Sequence, residues 1–164
     1  MRWVLSWRAD PVARRVADRH YNRQKVGAAQ FVPPGRCVVL MTACGRALWV
    51  TSWPRPEYVK HRWPGLWVCS AFRNEAGREL RSSELTTEAL AATRAELGDP
   101  PRGGMVTFVD PRRVKHKRDP GRCFIRAGFK PDGETEGGLL AFRIPENEMP
   151  AAVAPLRAQM EFSL

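Results

Sequence analysis

The sequence predicts an α/β fold in which a central, mixed and mostly antiparallel sheet is flanked by helices. Short β-rich runs of apolar residues are interleaved with segments that carry helix caps and a helical period. Read in order, these segments predict the element order β-α-β-β-β-α-β-α-β-β. The chain has 164 residues, of which 43% are hydrophobic, and this is enough for one domain with its own core.

The N-terminal segment is predicted to form a strand followed by a helix. Residues 3–7 are rich in tryptophan and aliphatic side chains, which favour a short strand. Asp10 is a good N-cap and Pro11 fits the first turn, so a helix is expected from there to His20. The long loop 21–35 follows, and long loops in compact domains often carry function.

Three consecutive strands are predicted next. Residues 36–42 and 47–53 are β-rich and are separated by only four residues, which is typical of an antiparallel hairpin. The connection 54–64 is interrupted by prolines, and strand character resumes over residues 66–72. We therefore expect these three strands to form the antiparallel part of the sheet.

The next helix and strand are the best-defined pair in the second half. Ser82 or Ser83 can cap a helix that runs to Leu97, with Gly98 as its stop. Residues 105–109 form an unbroken apolar run. Such a run is expected of a parallel strand that is covered on both faces.

The remaining pattern predicts a short helix and the last two strands. Residues 122–127 are helical in pattern, an extended segment starts at Phe129, and residues 139–144 form the last clear strand. We expect one domain over residues 1–145. Residues 146–164 contain alanine and proline with weak patterning, and they are predicted to be a peripheral extension.

The charge of the chain favours an anionic partner. Lys and Arg number 27 against 17 Asp and Glu, for a formal net charge of +10. Such an excess suits nucleic acid, because binding releases counterions from the phosphates, and solubility alone is the alternative. The basic residues cluster between residues 111 and 126, where Asp119 is the only acid. The candidate nucleic-acid-binding residues are Arg112, Arg113, Lys115, Lys117, Arg118, Arg122 and, as an aromatic contact, Trp53.

The sequence carries no signal for a membrane or a metal. The longest apolar run, residues 37–41, is far too short to span a bilayer, and the first residues lack a signal-peptide pattern. We therefore expect a cytoplasmic protein with no membrane partner. The cysteines and histidines are not at metal-ligand spacing, so no metal site is expected.

Over about residues 1–145, the element order resembles that of the GNAT acyltransferases. In that family, a glycine-containing loop before the helix after the fourth strand offers backbone N–H groups to a pyrophosphate. The corresponding loop here, residues 73–83, has a single glycine. The resemblance implies a small-molecule donor of acyl-CoA type, but the degenerate phosphate loop leaves the cofactor unknown. The candidate cofactor-binding residues are Arg81, Ser82 and Ser83.

Four groups of short motifs carry a narrower resemblance. They are Asp-Arg-His-Tyr at 18–21, Ser-Ala-Phe-Arg-Asn at 70–74 with Ser-Ser-Glu-Leu at 82–85, Thr-Phe-Val-Asp at 107–110, and Cys-Phe-Ile-Arg-Ala-Gly-Phe at 123–129. In this order and spacing they resemble the phage Mom family, GNAT-like proteins associated with converting DNA adenine to a carbamoylmethylated form. The resemblance implies a phage or prophage protein with an anti-restriction role.

The same resemblance assigns the candidate catalytic residues, which are His20, Tyr21, Arg73 and Asp110. An exocyclic amine needs a base or an orienting acceptor, for which Asp110 or His20 is suitable. Tyr21 suits a hydrogen bond to a carbonyl or stacking on a base, and Arg73 suits bidentate binding of a carboxylate or phosphate. In the late helix, this chain has Phe124 at a position where the family tends to have tyrosine, and phenylalanine cannot donate a proton or a hydrogen bond.

Purely structural roles for these residues stay open as alternatives. His20 can be a helix C-cap or surface residue, Asp110 before a proline can be a turn residue, and Arg73 can be a solvated charge. Action on a base within duplex DNA requires extruding that base or catching it single-stranded, and the tryptophans at 53, 63 and 67 are candidate stacking surfaces. The alternative functions are acyl-CoA-dependent N-acetylation of a small molecule or protein, and non-catalytic nucleic-acid binding.

Overall fold

A seven-stranded mixed sheet forms the centre of the computed structural model, which describes residues 1–23, 25–114 and 119–158. The strands are β1 Trp3–Leu5, β2 Arg36–Thr42, β3 Ala47–Trp53, β4 Trp67–Asn74, β5 Met105–Val109, β6 Lys130–Glu134 and β7 Leu140–Ile144. The helices are α1 Pro11–Asp18, α2 Ser82–Leu97 and α3 Arg122–Arg126, and short 3-10 turns cover Pro56–Tyr58, Gly77–Glu79 and Glu146–Glu148. The predicted order of strands and helices is confirmed.

The pairing of the strands matches the predicted mixed sheet. The strands lie in the order β1-β2-β3-β4-β5-β7-β6, and every neighbouring pair is antiparallel except β4 with β5. The predicted hairpin is confirmed as β2 and β3. The apolar run predicted as a parallel strand is confirmed as β5, which pairs in parallel with β4.

The helices cover opposite faces of the sheet. Leu40 of β2 is fully buried in the main core together with Leu85 of α2, whereas its neighbour Val39 packs with Val16 of α1. Successive side chains of a strand point to opposite faces, so α1 lies on one face and α2 on the other. Burial of each such aliphatic side chain stabilises the fold by about 1.5–3 kcal/mol.

The start of α1 follows the predicted capping. The Asp10 carboxylate accepts a hydrogen bond of 2.8 Å from the backbone N–H of Val12, and Pro11 occupies the first turn. The helix ends at Asp18, two residues before the predicted end at His20. This earlier end leaves His20 and the residue after it in a turn, where their side chains can point away from the helix axis.

The prediction that a serine caps α2 is wrong. The N-cap is Arg81, which makes no side-chain capping bond, and Ser82 is already the first helical residue. The reason lies in Asn74 at the end of β4, whose side-chain amide donates to the Leu80 carbonyl at 2.6 Å and to Ser82 Oγ at 3.1 Å. These bonds hold the incoming chain and leave the first N–H groups of α2 without a side-chain acceptor.

The segment after β7 returns to the sheet edge and to α2. Met149 is 5% exposed in the main core. The backbone N–H of Leu5 donates to the Leu156 carbonyl at 2.8 Å, and the N–H of Leu156 donates to the Trp3 carbonyl at 2.8 Å. The described part of the predicted extension thus covers the outer edge of β1, which leaves fewer of its backbone groups open to pairing with another chain.

Residues 1–23, 25–114 and 119–158 contain neither a membrane span nor a metal cluster. No helix among them has both the length and the apolar character to cross a membrane. No three of their His, Cys, Asp or Glu side chains are grouped so that they could hold a metal ion.

Candidate functional site

The two parallel strands separate halfway along their length. β4 and β5 pair only from Trp67 to Cys69 on one strand and from Met105 to Thr107 on the other. Beyond these residues β4 continues beside β3 and β5 continues beside β7. The register of β4 against β3 also shifts at Ser70, which is an extra residue in β4. The carboxyl ends of the two parallel strands therefore enclose a gap, the usual position of ligand sites in sheets of this kind.

A cavity of about 600 Å³ fills this gap. We call it the cleft. Its floor includes the bulged Ser70 of β4 and Thr107 of β5, and its walls come from the turn after α1, the first turn of α2 and the segment around α3. This volume is in the range of small-molecule sites.

The first turn of α2 forms a wall with positive character. Arg81, Ser82 and Ser83, the candidate cofactor-binding residues, all line the cleft. α2 has 16 residues and no side-chain cap, so its first N–H groups carry the partial positive charge of the helix terminus. The Arg81 side chain is 79% exposed and lies 3.8 Å from the Glu84 carboxylate, a weak pair that leaves its guanidinium accessible to a ligand.

The segment around α3 contributes further arginines and an apolar surface. Arg122 and Arg126 line the cleft, and Arg122 lies 3.7 Å from the Asp119 carboxylate. Phe124 also lines it and is 7% exposed, packed between the aromatic rings of the core. Arg126 belongs to the basic cluster of the sequence but was not selected there as a site residue. Arg126 is the last residue of α3, so its place on the cleft depends on that helix.

The turn after α1 forms the opposite wall, which is aromatic. The rings of His20 and Tyr21 stack with centroids 4.6 Å apart, and both line the cleft. Asn22 holds this turn, because its side-chain amide donates to the Ser70 carbonyl at 2.6 Å and also hydrogen-bonds the His20 ring. Asn22 and Ser70 were missed by sequence reasoning, since nothing in their local pattern marks them as partners.

Burial favours the uncharged form of both rings in this pair. Burial is the main cause that lowers the pKa of His20, and Arg73 acts in the same direction, whereas hydrogen bonds with Asn22 and with the Phe72 backbone oppose the shift. The lowered pKa favours the neutral imidazole at neutral pH. Burial raises the pKa of Tyr21, which keeps its hydroxyl protonated. The Tyr21 oxygen accepts a hydrogen bond of 3.3 Å from the Asp110 backbone N–H. The pair therefore presents an uncharged base beside an uncharged acid.

Arg73 lies outside the cleft. Its Nε donates to the Glu75 carboxylate at 2.6 Å, and Arg19 donates two bonds of 2.7 Å to the same carboxylate. These two arginines lower the pKa of Glu75 to about 2, with Arg19 the larger cause. Because Arg19 directly precedes His20, the ion-pair network anchors the aromatic wall to the end of β4. Arg73 is thus placed to support the wall and not to touch a ligand in the cleft.

Glu75→Gln is expected to lower the free energy of unfolding by about 2 kcal/mol at neutral pH, a value reduced for solvent screening of partly exposed ion pairs. The folded pKa of about 2 lies below the ordinary 4.5, so ionised Glu75 stabilises the protein above 4.5. That contribution is lost as pH falls from 4.5 toward 2. Urea unfolding of both proteins should show the difference shrinking over this range.

The control for this change is Glu79→Gln, which breaks the exposed pair between Glu79 and Arg46. Glu79 is 67% exposed, so little change in stability is expected. An unfolding difference for Glu75→Gln that stays constant with pH would contradict the network as the cause.

Asp110 also lies just outside the cleft lining. Its carboxylate accepts hydrogen bonds of 3.0 Å from the backbone N–H and from Nε of Arg112, and these bonds lower its pKa. It thus takes the turn geometry that is common for an aspartate before a proline. A carboxylate held in this way is a weak base, and its backbone N–H is the group that meets Tyr21. Of the two candidate bases, only His20 lines the cleft.

The other residues predicted to contact nucleic acid differ in where they lie. Arg112 and Arg113 are exposed beside the end of β5. Lys115, Lys117 and Arg118 fall outside the described residues. Trp53 is half-buried away from the cleft, and its Nε1 donates to the Gly65 carbonyl at 3.1 Å.

One of the candidate stacking tryptophans, Trp67, was assigned wrongly. Trp67 is 0% exposed and Trp63 is 9% exposed. Trp67 sits within the parallel pairing of β4, so it belongs to the core. The Trp67 ring therefore offers no open face, whereas Trp63 lines a second cavity beside β5.

In comparisons with known proteins, no family model matches this chain, and no curated protein and no solved structure matches it either. The function is therefore inferred from the cleft and the charge of the chain.

Proposed function

We propose that this chain is a GNAT-like transferase of Mom-like type that modifies the exocyclic amine of adenine in DNA. The observation that carries the proposal is the cleft between β4 and β5, which has a cationic wall on α2 and α3 facing the neutral His20–Tyr21 wall. The cationic wall suits an anionic donor molecule. The aromatic wall suits a flat, uncharged acceptor such as a nucleobase.

The chemistry follows from the protonation states of the aromatic wall. The amine nitrogen of the base attacks the electrophilic carbon of the group to be transferred, and the bond from that carbon to its carrier breaks with its electrons on the carrier. Neutral His20 accepts the proton that the amine loses. The Tyr21 hydroxyl supplies a hydrogen bond or a proton to the departing carrier. Tyr21 thus takes the role that a tyrosine at the position of Phe124 would have in the Mom family.

The charge of the protein supports DNA as the acceptor. The net charge is +10, and the exposed Arg112, Arg113, Arg122 and Arg126 lie at or beside the mouth of the cleft. A surface of this kind attracts a phosphate backbone and leaves a base free to enter the cleft. A duplex cannot enter 600 Å³, so the base must be extruded or single-stranded.

The test is mass spectrometry of nucleosides from plasmid DNA of cells that express the protein, Arg81→Ala or Arg157→Ala. We expect a new adenine-derived nucleoside with the wild type and a yield about tenfold lower with Arg81→Ala. Arg157 pairs with Glu96 near the far end of α2, about 22 Å from Arg81, so its variant should behave as the wild type. Unchanged DNA with soluble wild-type protein would contradict the proposal.

A second candidate is acyl-CoA-dependent N-acetylation of a small molecule or protein. The uncapped first turn of α2 favours it, because that turn can hold a pyrophosphate despite the single glycine of its loop. Calorimetric titration with acetyl-CoA discriminates the two, when combined with the nucleoside analysis. Binding of acetyl-CoA with unmodified DNA would favour this candidate, and binding of DNA alone would favour a non-catalytic nucleic-acid-binding protein.

A further inference from the structure

A second cavity lies beside the cleft, on the other side of the end of β5. It measures about 580 Å³ and is lined by residues 60–63 of the connection before β4 and by residues 134–137 of the turn between β6 and β7. We call it the groove. Nothing in the proposed chemistry uses it, and Trp63 is the one lining residue that the sequence suggested, as a candidate stacking surface.

The groove and the cleft meet at Phe108. This side chain lines the cleft, and its ring lies 4.9 Å from the ring of His61 and 5.5 Å from that of Trp63, both of which line the groove. Arg112 bridges the same border, since it bonds Asp110 at the cleft and donates to the Gly137 carbonyl of the groove at 3.2 Å. The two cavities are therefore adjacent, with Phe108 and Arg112 on the border between them.

The side of the groove nearest β4 combines cations with flat rings. Lys60 and Arg62 are exposed, and the Arg62 guanidinium lies 5.2 Å over the Trp63 ring and donates to the Glu134 carbonyl at 3.0 Å. The stack and the hydrogen bond hold Arg62 in place, with donors remaining for a ligand. Phosphates beside aromatic surfaces are the chemistry of single-stranded nucleic acid.

His61 adds a neutral ring to this surface. Its Nδ1 accepts a hydrogen bond of 3.1 Å from the Trp63 backbone N–H, which requires an unprotonated nitrogen. Burial lowers the pKa of His61 in the same direction. At neutral pH the ring therefore serves as a contact for a base, and the charge for the phosphates comes from Lys60 and Arg62.

The opposite side of the groove carries carboxylates. Glu134 and Glu136 line it and repel phosphates, so a nucleic-acid backbone is restricted to the side of Lys60 and Arg62. Carboxylates accept hydrogen bonds from the exocyclic amines of bases. Asp132 beneath them is neutralised, since Arg143 and the Trp63 indole both donate to it. The charges of the groove thus favour a strand with its phosphates beside Lys60 and Arg62 and with its base edges toward the turn between β6 and β7.

We propose that the groove binds a single-stranded segment of nucleic acid, consisting of the nucleotides next to the one whose base occupies the cleft. Lys60 and Arg62 contact phosphates, and the turn between β6 and β7 faces the base edges. The inference rests on the proposed function in taking nucleic acid as the acceptor, but its test measures binding and not modification.

The experiment is a fluorescence anisotropy titration of a labelled single-stranded DNA oligonucleotide, and of its duplex, with wild type, Lys60→Ala and Lys130→Ala. Lys130 is an exposed lysine at the opposite end of β6 from Glu134, about 13 Å from it along the strand, and it pairs with Glu148. Lys60→Ala is expected to raise the single-strand Kd about fivefold and to reduce its salt slope by about 0.7. Lys130→Ala should leave the single-strand Kd within about twofold, and the duplex Kd should change less with Lys60→Ala than the single-strand Kd.

Three results would overturn the groove as a single-strand site. The two lysine variants could weaken binding equally, Lys60→Ala could leave the single-strand Kd unchanged, or it could weaken the duplex as much as the single strand. Thermal melting of each variant checks that it is folded. Selective weakening by Lys60→Ala in a protein that leaves plasmid DNA unmodified would support the groove and contradict the proposed transferase. If the wild type modifies plasmid DNA but Lys60→Ala leaves the single-strand Kd unchanged, the transferase is supported and the groove is contradicted.

Discussion

Ser83→Asp is expected to abolish DNA modification without destabilising the protein. Ser83 lines the cleft in the first turn of α2, where an anionic donor is proposed to bind. A carboxylate there repels that donor and competes for the same N–H groups, so nucleoside mass spectrometry should show at least about a tenfold loss. Acidic residues favour the first turn of a helix, so thermal unfolding should show stability unchanged or raised by about 0.3–1 kcal/mol.

The matched control is Ser83→Asn, which has nearly the same shape as aspartate without its charge. Its yield of modified nucleoside should stay within about threefold of the wild type. If Ser83→Asp modifies DNA as well as the wild type does, no anion binds at the start of α2. If both variants lose activity equally, size and not charge matters at this position.

Gly104→Ala is expected to destabilise the fold by about 3–5 kcal/mol. Gly104 has φ +80, and a Cβ built there would lie 2.0 Å from the Ile144 carbonyl oxygen, a backbone atom that cannot move aside. The residue precedes β5, and its carbonyl accepts the Trp67 N–H at 3.1 Å, where β4 begins. Strain here acts on the start of the parallel pairing of β4 with β5, and urea unfolding measures its cost.

Gly98→Ala separates the cost of the positive φ from the cost of the close contact between the added Cβ and the Ile144 carbonyl oxygen. Gly98 ends α2 with φ +87, and a Cβ built there meets nothing within 4 Å. Its variant should lose only the conformational part, about 1–3 kcal/mol, because φ +87 with ψ −152 is a backbone region that essentially only glycine adopts. Equal losses for Gly98→Ala and Gly104→Ala would show that the contact with β7 is relieved by a small backbone shift.

Local signals predicted most of the elements but not the residues that bridge them. Asp10 before Pro11 predicted the start of α1, and the apolar run 105–109 predicted a parallel strand, because capping and periodicity act over a few neighbouring residues. The cap of α2 was wrong because Asn74, eight residues before Ser82, holds the chain at the helix start. A contact made across a loop leaves no periodic signal.

The candidate site was predicted in part for the same reason. His20, Tyr21, Ser82 and Ser83 line one cavity, as the motifs suggested. Arg73 lies outside that cavity, because Glu75 two residues later binds it together with Arg19 from another element. The competition between a ligand and a neighbouring carboxylate for one guanidinium is not visible in a motif.

The sequence by itself determined the order of the elements, the mixed character of the sheet and the excess of positive charge, since each depends on composition or on spacing along the chain. Only the tertiary structure decided where β4 and β5 separate, because beyond that point each strand is held by its outer neighbour, β4 by β3 and β5 by β7. It also lowered the pKa of His20, because burial in the folded chain disfavours the charged imidazole. The cleft is a product of long-range packing, and packing is what local patterns do not encode.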